Sequence, residues 1–120
     1  MLPENSLLKY LCENLNCNID EINNKLIYGT IINEICNLKL YSTIYGPIEV
    51  SGMVYTPPYR INLPYLDATY YGFKSFNEYL KHVFGVELEY PELYCLFDVD
   101  IENGSYRYHP LELVNIYEEN

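Results

Sequence analysis

Apolar residues recur at helical spacing near the N-terminus. Over residues 4–15 they predict an amphipathic helix, with Pro3 suited to its first turn. The apolar positions of residues 20–35 are less regular. They predict either one broken helix or two short ones, interrupted near Gly29.

A second helical pattern, over residues 75–84, is the clearest in the chain. Ser75 and Glu78 have the spacing of a capping box, and Gly85 is suited to end the helix. The predicted apolar face of this central helix consists of Phe76, Tyr79, Leu80, Val83 and Phe84.

Short extended runs predict strands on both sides of the central helix. Residues 38–55 predict two strands joined by a tight turn at residues 45–47. An extended piece and a hairpin are predicted within residues 61–72. Residues 86–90 and the stretch from 93 to 116 predict three or four further strands.

This order of helices and strands favours a small α+β domain built on a partly closed β-barrel. A chain of 120 residues has the usual length of one domain, and 49% hydrophobic residues suffice for a core. We expect a single domain over residues 1–120, cut from a larger protein.

The composition is strongly acidic. With 17 acidic and 7 basic residues, the net charge of −10 repels nucleic acid and anionic membranes on average, so that only a local pocket could overcome it. The 15 tyrosines suit strand packing, protein interfaces or stacking on bases. Without a signal peptide or an apolar run of membrane length, we expect a cytoplasmic location, with the nucleus as the alternative.

Catalytic and metal-binding patterns are absent from the sequence. His82 and His109 are far apart, and no serine, cysteine or aspartate partner of His109 can be identified. Glu87 and Glu89 suit a solvated strand face. We therefore expect no enzyme activity, no metal and no cofactor. No CxxC pair occurs among the four cysteines, which are expected to be reduced: Cys12, Cys17, Cys36 and Cys95.

Several motifs together resemble the PAZ domain of Argonaute, Piwi and Dicer proteins. The helix FNEYLKHVF is followed by a Tyr-Pro-x-Leu-x-Cys-Leu run and then by Tyr-x-Pro-Leu-Glu, as in that family. Those motif residues are Tyr90, Pro91, Leu93, Cys95 and Leu96, then Tyr108, Pro110, Leu111 and Glu112. The segments SLLKYLCENLNCNIDE and EICNLKLYSTIYG are similar to the family's leading helix and first barrel strand, so that the resemblance spans nearly the whole chain.

The resemblance implies an OB-like, partly closed β-barrel with two N-terminal helices and an inserted hairpin–helix module. In the family, the cleft between barrel and module holds the 3′ end of a small single-stranded RNA, or a short overhang, during RNA silencing. Aromatic rings pack against the last sugar and base, and hydroxyl groups and an imidazole bind the last phosphate.

Carried over by position, the end-binding residues are only partly retained. Tyr79 matches the helix tyrosine that contacts the terminal phosphate, and Phe84 matches a second tyrosine without its hydroxyl. Ile44 stands where the family has a histidine, with Tyr45 beside it, and Leu63 replaces the aromatic residue on the last sugar. The RNA-end residues implied by the resemblance are Tyr79, Phe84, Leu63, Tyr45, Ile44, Arg107, His109 and Lys81.

Two functions remain open from the sequence. The favoured one is a weakened RNA 3′-end module that works by shape and stacking, inside a larger silencing protein whose other domains supply basic residues. The alternative is a degenerate PAZ-like domain that no longer binds RNA ends and serves as a scaffold or protein-interaction module. Each lost charged hydrogen bond is worth about 1.5–3 kcal/mol, so losing two or three weakens binding by a factor of roughly a hundred to several thousand.

Overall fold

Two antiparallel sheets and several short helices form the chain in the computed structural model, which describes residues 2–28, 31–61, 72–102 and 104–117. The helices of this part are α1 (Leu7–Leu15), α2 (Ile22–Tyr28), α3 (Ile31–Cys36) and α4 (Phe76–Tyr79), and α4 continues as a π-helical turn over Leu80–Phe84. Short 3₁₀ helices cover Ile19–Glu21, Pro58–Arg60 and Leu111–Leu113. The strands are β1 (Leu40–Ser42), β2 (Gly46–Ile48), β3 (Gly52–Val54), β4 (Cys95–Asp100), β5 (Ser105–Pro110) and β6 (Val114–Ile116). One sheet has the order β2-β1-β6 and the other β3-β4-β5.

The N-terminal helices form in the predicted region but with different ends. Ser6 caps α1 by accepting a hydrogen bond from the Lys9 N–H at 3.5 Å, so the helix begins after Ser6. The prediction that Pro3 lies in its first turn is therefore wrong. The described part of residues 20–35 forms a 3₁₀ turn and the helical stretches α2 and α3, which agrees with the predicted helical character. The predicted interruption at Gly29 lies outside the described residues.

The first hairpin turns earlier than predicted. Ser42 Oγ accepts hydrogen bonds from the N–H groups of Ile44 and Tyr45 at 3.2 and 3.3 Å, which places the turn before Gly46 rather than at residues 45–47. The strand predicted after the turn divides into β2 and β3, which belong to different sheets. Pro47 is tolerated in β2 because β2 lies at the edge of its sheet.

The central helix has the predicted cap and the predicted glycine end. Ser75 Oγ accepts from the Glu78 N–H at 3.2 Å, while the Glu78 carboxylate accepts from the Lys74 N–H at 3.1 Å, one residue before the capping-box position. Gly85 ends the helix with φ 66°. Val83 is 50% exposed, so its predicted place on the apolar face is wrong, because the wider π turn rotates the later side chains away from the 3.6-residue pattern.

The segment at residues 86–90 is not a strand, contrary to the prediction. Its backbone hydrogen bonds go to a side chain: the Glu112 carboxylate accepts from the Glu89 N–H at 3.0 Å and from the Tyr90 N–H at 2.7 Å. Glu112 thereby joins the Tyr-Pro motif to the Pro-Leu-Glu motif that follows β5.

Two hydrophobic cores hold these elements together, and β4 contributes to both. Leu96 belongs to the first core, which packs α1, α2 and α3 against the sheet of β1, β2 and β6. Cys95 belongs to the second core, with Ile61, Phe76, Tyr79 and Leu80. The 3₁₀ helix after β5 leads the chain from one sheet to the other. These features confirm the predicted α+β class, and no described helix is long and apolar enough to cross a membrane.

Candidate functional site

A cluster of four rings brings together distant parts of the chain. The Tyr45 ring, in the first hairpin turn, packs edge-on against Phe84 with centroids 5.6 Å apart and against His109 with centroids 5.4 Å apart. Phe84 in turn packs edge-on against Tyr79 at 5.7 Å. We call Tyr45, Tyr79, Phe84 and His109 the ring cluster. All four were predicted as site residues.

The other predicted site residues divide into those near the ring cluster and those apart from it. The Arg107 guanidinium lies 5.5 Å from the centre of the Tyr45 ring, within the range of a cation–π interaction. Ile44 is half-buried and packs against the second core. Lys81 points to solvent, where its Nζ pairs with Glu87 at 3.3 Å. Leu63 lies outside the described residues, as do most of the extended piece and hairpin predicted for 61–72.

Asp98 organises the polar side of this site, and the sequence analysis missed it. Its side chain accepts from Arg107 Nε at 3.0 Å at one oxygen and from Arg107 Nη2 at the other. The same Oδ1 lies 2.8 Å from His109 Nε2. The statement that His109 has no identifiable aspartate partner is therefore wrong. In the β4–β5 ladder Asp98 lies opposite Arg107, and the pair of Leu96 and His109 lies two positions further along, on the same face of the sheet.

A signal for Asp98 did exist in the sequence. The run Cys95–Val99 is otherwise apolar, and burying a carboxylate in such a strand is unfavourable unless it has partners. The partner could not be named, because it depends on the register of two strands, which periodicity alone does not determine.

The protonation states follow from these contacts. Burial alone would raise the pKa of Asp98, but the hydrogen bonds from Arg107 and His109 outweigh burial and hold that pKa below its usual value. Since an ionised carboxylate only accepts, His109 must carry its proton on Nε2. Burial lowers the pKa of His109, against the opposing hydrogen bond from Asp98. Its Nδ1 is buried without a hydrogen-bond partner among the described residues.

These directions predict an acid-sensitive fold. Because the folded-state pKa of His109 lies below its ordinary 6.5, the unfolded chain binds the extra proton first. The contribution of neutral His109 to the free energy of unfolding is complete above pH 6.5 and declines as the pH falls below that value. The contribution of Asp98 is lost only when the pH falls below 3.8.

Urea unfolding measured between pH 8 and 5 checks this expectation. We expect His109→Gln to remove the decline below pH 6.5, and His82→Gln, at an exposed histidine, to keep it. An unchanged pH profile in His109→Gln would contradict the assignment.

The rings of the cluster differ in their exposure to solvent. Tyr79 is 6% exposed and is covered by Phe73 at 5.4 Å and Phe76 at 5.9 Å. Tyr45 and Phe84 are half-buried and keep part of their surface accessible. The charges of Arg107 and Lys81 are compensated by Asp98 and Glu87. The site therefore offers ring surface rather than net positive charge.

Metal and thiol chemistry gain no support from the described residues. Within them, no three histidine, cysteine or acidic side chains are grouped to hold a metal ion. Cys95 is fully buried, and burial raises the pKa of its thiol well above the usual range. It behaves as a small hydrophobic residue.

No protein-family model matches the chain, and no curated protein shows significant similarity to it. The structure shows which of the predicted site residues are neighbours. Site residues that the resemblance implied, from the first hairpin to β5, form a continuous chain of ring contacts in the ring cluster.

Proposed function

We propose that this chain is a PAZ-like module that holds the 3′ end of a small single-stranded RNA weakly, through ring contacts, as part of a larger silencing protein of the Argonaute or Piwi type. The observation that carries the proposal is the convergence of the ring cluster. Tyr45, Phe84, Tyr79 and His109 come from three separate segments and were all among the site residues that the resemblance implied, with Tyr79 and Phe84 matched by position and Tyr45 taken as the neighbour of Ile44.

The chemistry of the site favours stacking over charge capture. In this proposal the partly exposed rings of Tyr45 and Phe84 pack against a ribose or base, and one such stacking contact is worth about 1–3 kcal/mol. Asp98 compensates Arg107, so few phosphate charges are neutralised on binding and few counterions are released. Binding by this site is therefore weak and depends little on salt.

In the proposed architecture, the two sheets correspond to an OB-like, partly closed barrel. The central helix represents the helical part of the inserted module, and its Phe84 ring packs against Tyr45 in the first hairpin turn. Leu63, which the resemblance places in the same module, lies outside the described residues.

A second candidate is favoured by the burial of Tyr79 and the pairing of Arg107. A tyrosine that is only 6% exposed and an arginine held by a buried aspartate stabilise a fold without any ligand. In this alternative the domain has lost end binding and acts as a scaffold or protein-interaction module.

A titration of labelled single-stranded RNA distinguishes the two functions. We expect RNA with a free 3′ hydroxyl to bind at least about fivefold more tightly than the same RNA with a blocked 3′ end, which corresponds to about 1 kcal/mol. Fluorescence anisotropy at low and physiological salt measures both affinities.

Two tyrosine variants form a matched pair for this titration. Tyr45→Ala removes a ring of the cluster and should abolish the preference for the free end, whereas Tyr55→Ala removes a 52% exposed tyrosine outside the cluster and should preserve it. Absence of binding at low salt, or equal binding of both RNAs, would favour the scaffold function.

A further inference from the structure

A second concave surface lies between the end of α1 and the loop at residues 89–93. Its cavity has a volume of about 890 Å³, and none of its lining residues belongs to the ring cluster. The apolar side chains that line it are Leu2, Cys12, Cys17, Ile19, Tyr90 and Leu93. We call this surface the acidic groove, because acidic residues surround it.

Carboxylates surround the apolar lining of the acidic groove. Glu13, Asp20, Glu89 and Glu92 line it and are exposed to solvent. Among the described lining residues Lys9 is the single basic one, and its Nζ binds Glu4 at 2.9 Å. The groove thus combines an apolar floor with a rim on which four carboxylates outnumber one lysine.

Side-chain hydrogen bonds fix the loop that forms one wall of the acidic groove. Asn23 Oδ1 accepts from the Tyr94 N–H at 3.0 Å, and Asn23 Nδ2 donates to the Glu92 carbonyl at 2.8 Å. At the other end of the loop, Glu112 holds the N–H groups of Glu89 and Tyr90. A wall fixed at both ends is already ordered before binding, which reduces the entropy lost by a ligand complex.

A second cavity of about 330 Å³ adjoins the acidic groove, since Asn23 and Glu92 line both. It is lined by Tyr55 and Tyr59, which are 52% and 38% exposed, by Tyr94, and by one basic residue, Arg60. Tyrosines of this kind combine ring area with a polar tip and are enriched in protein interfaces.

We propose that the acidic groove binds an extended basic peptide segment of a partner protein, with apolar side chains on the floor and lysine or arginine side chains at the rim. Charge complementarity selects this occupant: four rim carboxylates, on a chain of net charge −10, attract a basic peptide and repel RNA phosphates. A peptide with only basic side chains would leave the apolar floor uncovered, so the occupant must carry apolar side chains as well. The proposal is independent of RNA-end binding, since the groove and the ring cluster share no residue.

A fluorescein-labelled synthetic peptide, Lys-Arg-Leu-Lys-Phe-Lys-Arg, is the probe for the full chain. We expect saturable binding by fluorescence anisotropy, weakening as salt is raised. The same peptide with serine in place of leucine and phenylalanine should bind at least about tenfold more weakly, because it cannot occupy the apolar floor. This comparison leaves the protein unchanged, so it does not depend on how a variant folds.

Charge-reversal variants locate the binding surface. Glu13→Lys, on the rim, should weaken the probe by about tenfold, and Glu49→Lys, an exposed glutamate outside the groove, should leave its affinity within about twofold. Equal weakening by the two variants would overturn the proposal, since it would reflect net charge alone. Equal binding of the serine peptide, or displacement of the probe by single-stranded RNA or by a second copy of the chain, would also overturn it.

Discussion

Replacing Asp98 by alanine is expected to lower the free energy of unfolding by about 3 kcal/mol. The change removes the acceptors of both Arg107 and His109 and leaves a guanidinium without its counter-charge. The estimate lies at the lower end for a broken buried ion pair, because the Arg107 side chain is 29% exposed and water can solvate part of it.

Equilibrium unfolding in urea, followed by circular dichroism, measures this loss. Glu87→Ala is the matched control, because it removes the carboxylate of an exposed ion pair, with Lys81, and should change stability by less than about 1 kcal/mol. A loss of less than about 1 kcal/mol in Asp98→Ala would show that Asp98 does not organise the site.

Replacing Glu112 by alanine is expected to lower the free energy of unfolding by about 2 kcal/mol. Two backbone N–H groups, of Glu89 and Tyr90, lose a charged acceptor that is worth about 1.5–3 kcal/mol for each hydrogen bond. The sum is reduced because this part of the loop is partly exposed and water can replace the carboxylate.

Hydrogen exchange gives this prediction a local measurement. The amides of Glu89 and Tyr90 should exchange faster in Glu112→Ala, while Glu49→Ala, at an exposed glutamate, should leave them unchanged. If both amides kept their protection in Glu112→Ala, the link between the two motifs would not depend on that carboxylate.

The sequence predicted those parts of the fold that depend on local interactions. The caps at Ser75 and Gly85, the apolar face of α1 and that of the central helix apart from Val83 need only neighbouring residues, and they are present. The strand expected at residues 86–90 failed because its hydrogen-bond partner, Glu112, is distant in sequence. An extended segment whose N–H groups bind a side chain has the same apolar pattern as a strand in a ladder.

The candidate site was predictable in its rings but not in its charges. The resemblance implied Tyr79 and Phe84 by position and Tyr45 as the neighbour of Ile44, and in the structure Phe84 contacts both tyrosine rings. Asp98 escaped because its role depends on the β4–β5 register, which sets it opposite Arg107. Whether Arg107 could offer its charge to a ligand therefore depended on Asp98, a residue that none of the motifs contains.

Restoring the hydroxyl at position 84 tests the end-binding account most directly. In Phe84→Tyr the new O–H lies on the ring that packs between Tyr45 and Tyr79, where a charged hydrogen bond to a terminal phosphate is worth about 1.5 kcal/mol. We predict that RNA with a free 3′ end binds this variant about tenfold more tightly than the natural chain, while RNA with a blocked end binds both equally. Unchanged affinity for the free end, in a variant that unfolds at the same urea concentration as the natural chain, would contradict the ring cluster as an RNA-end site.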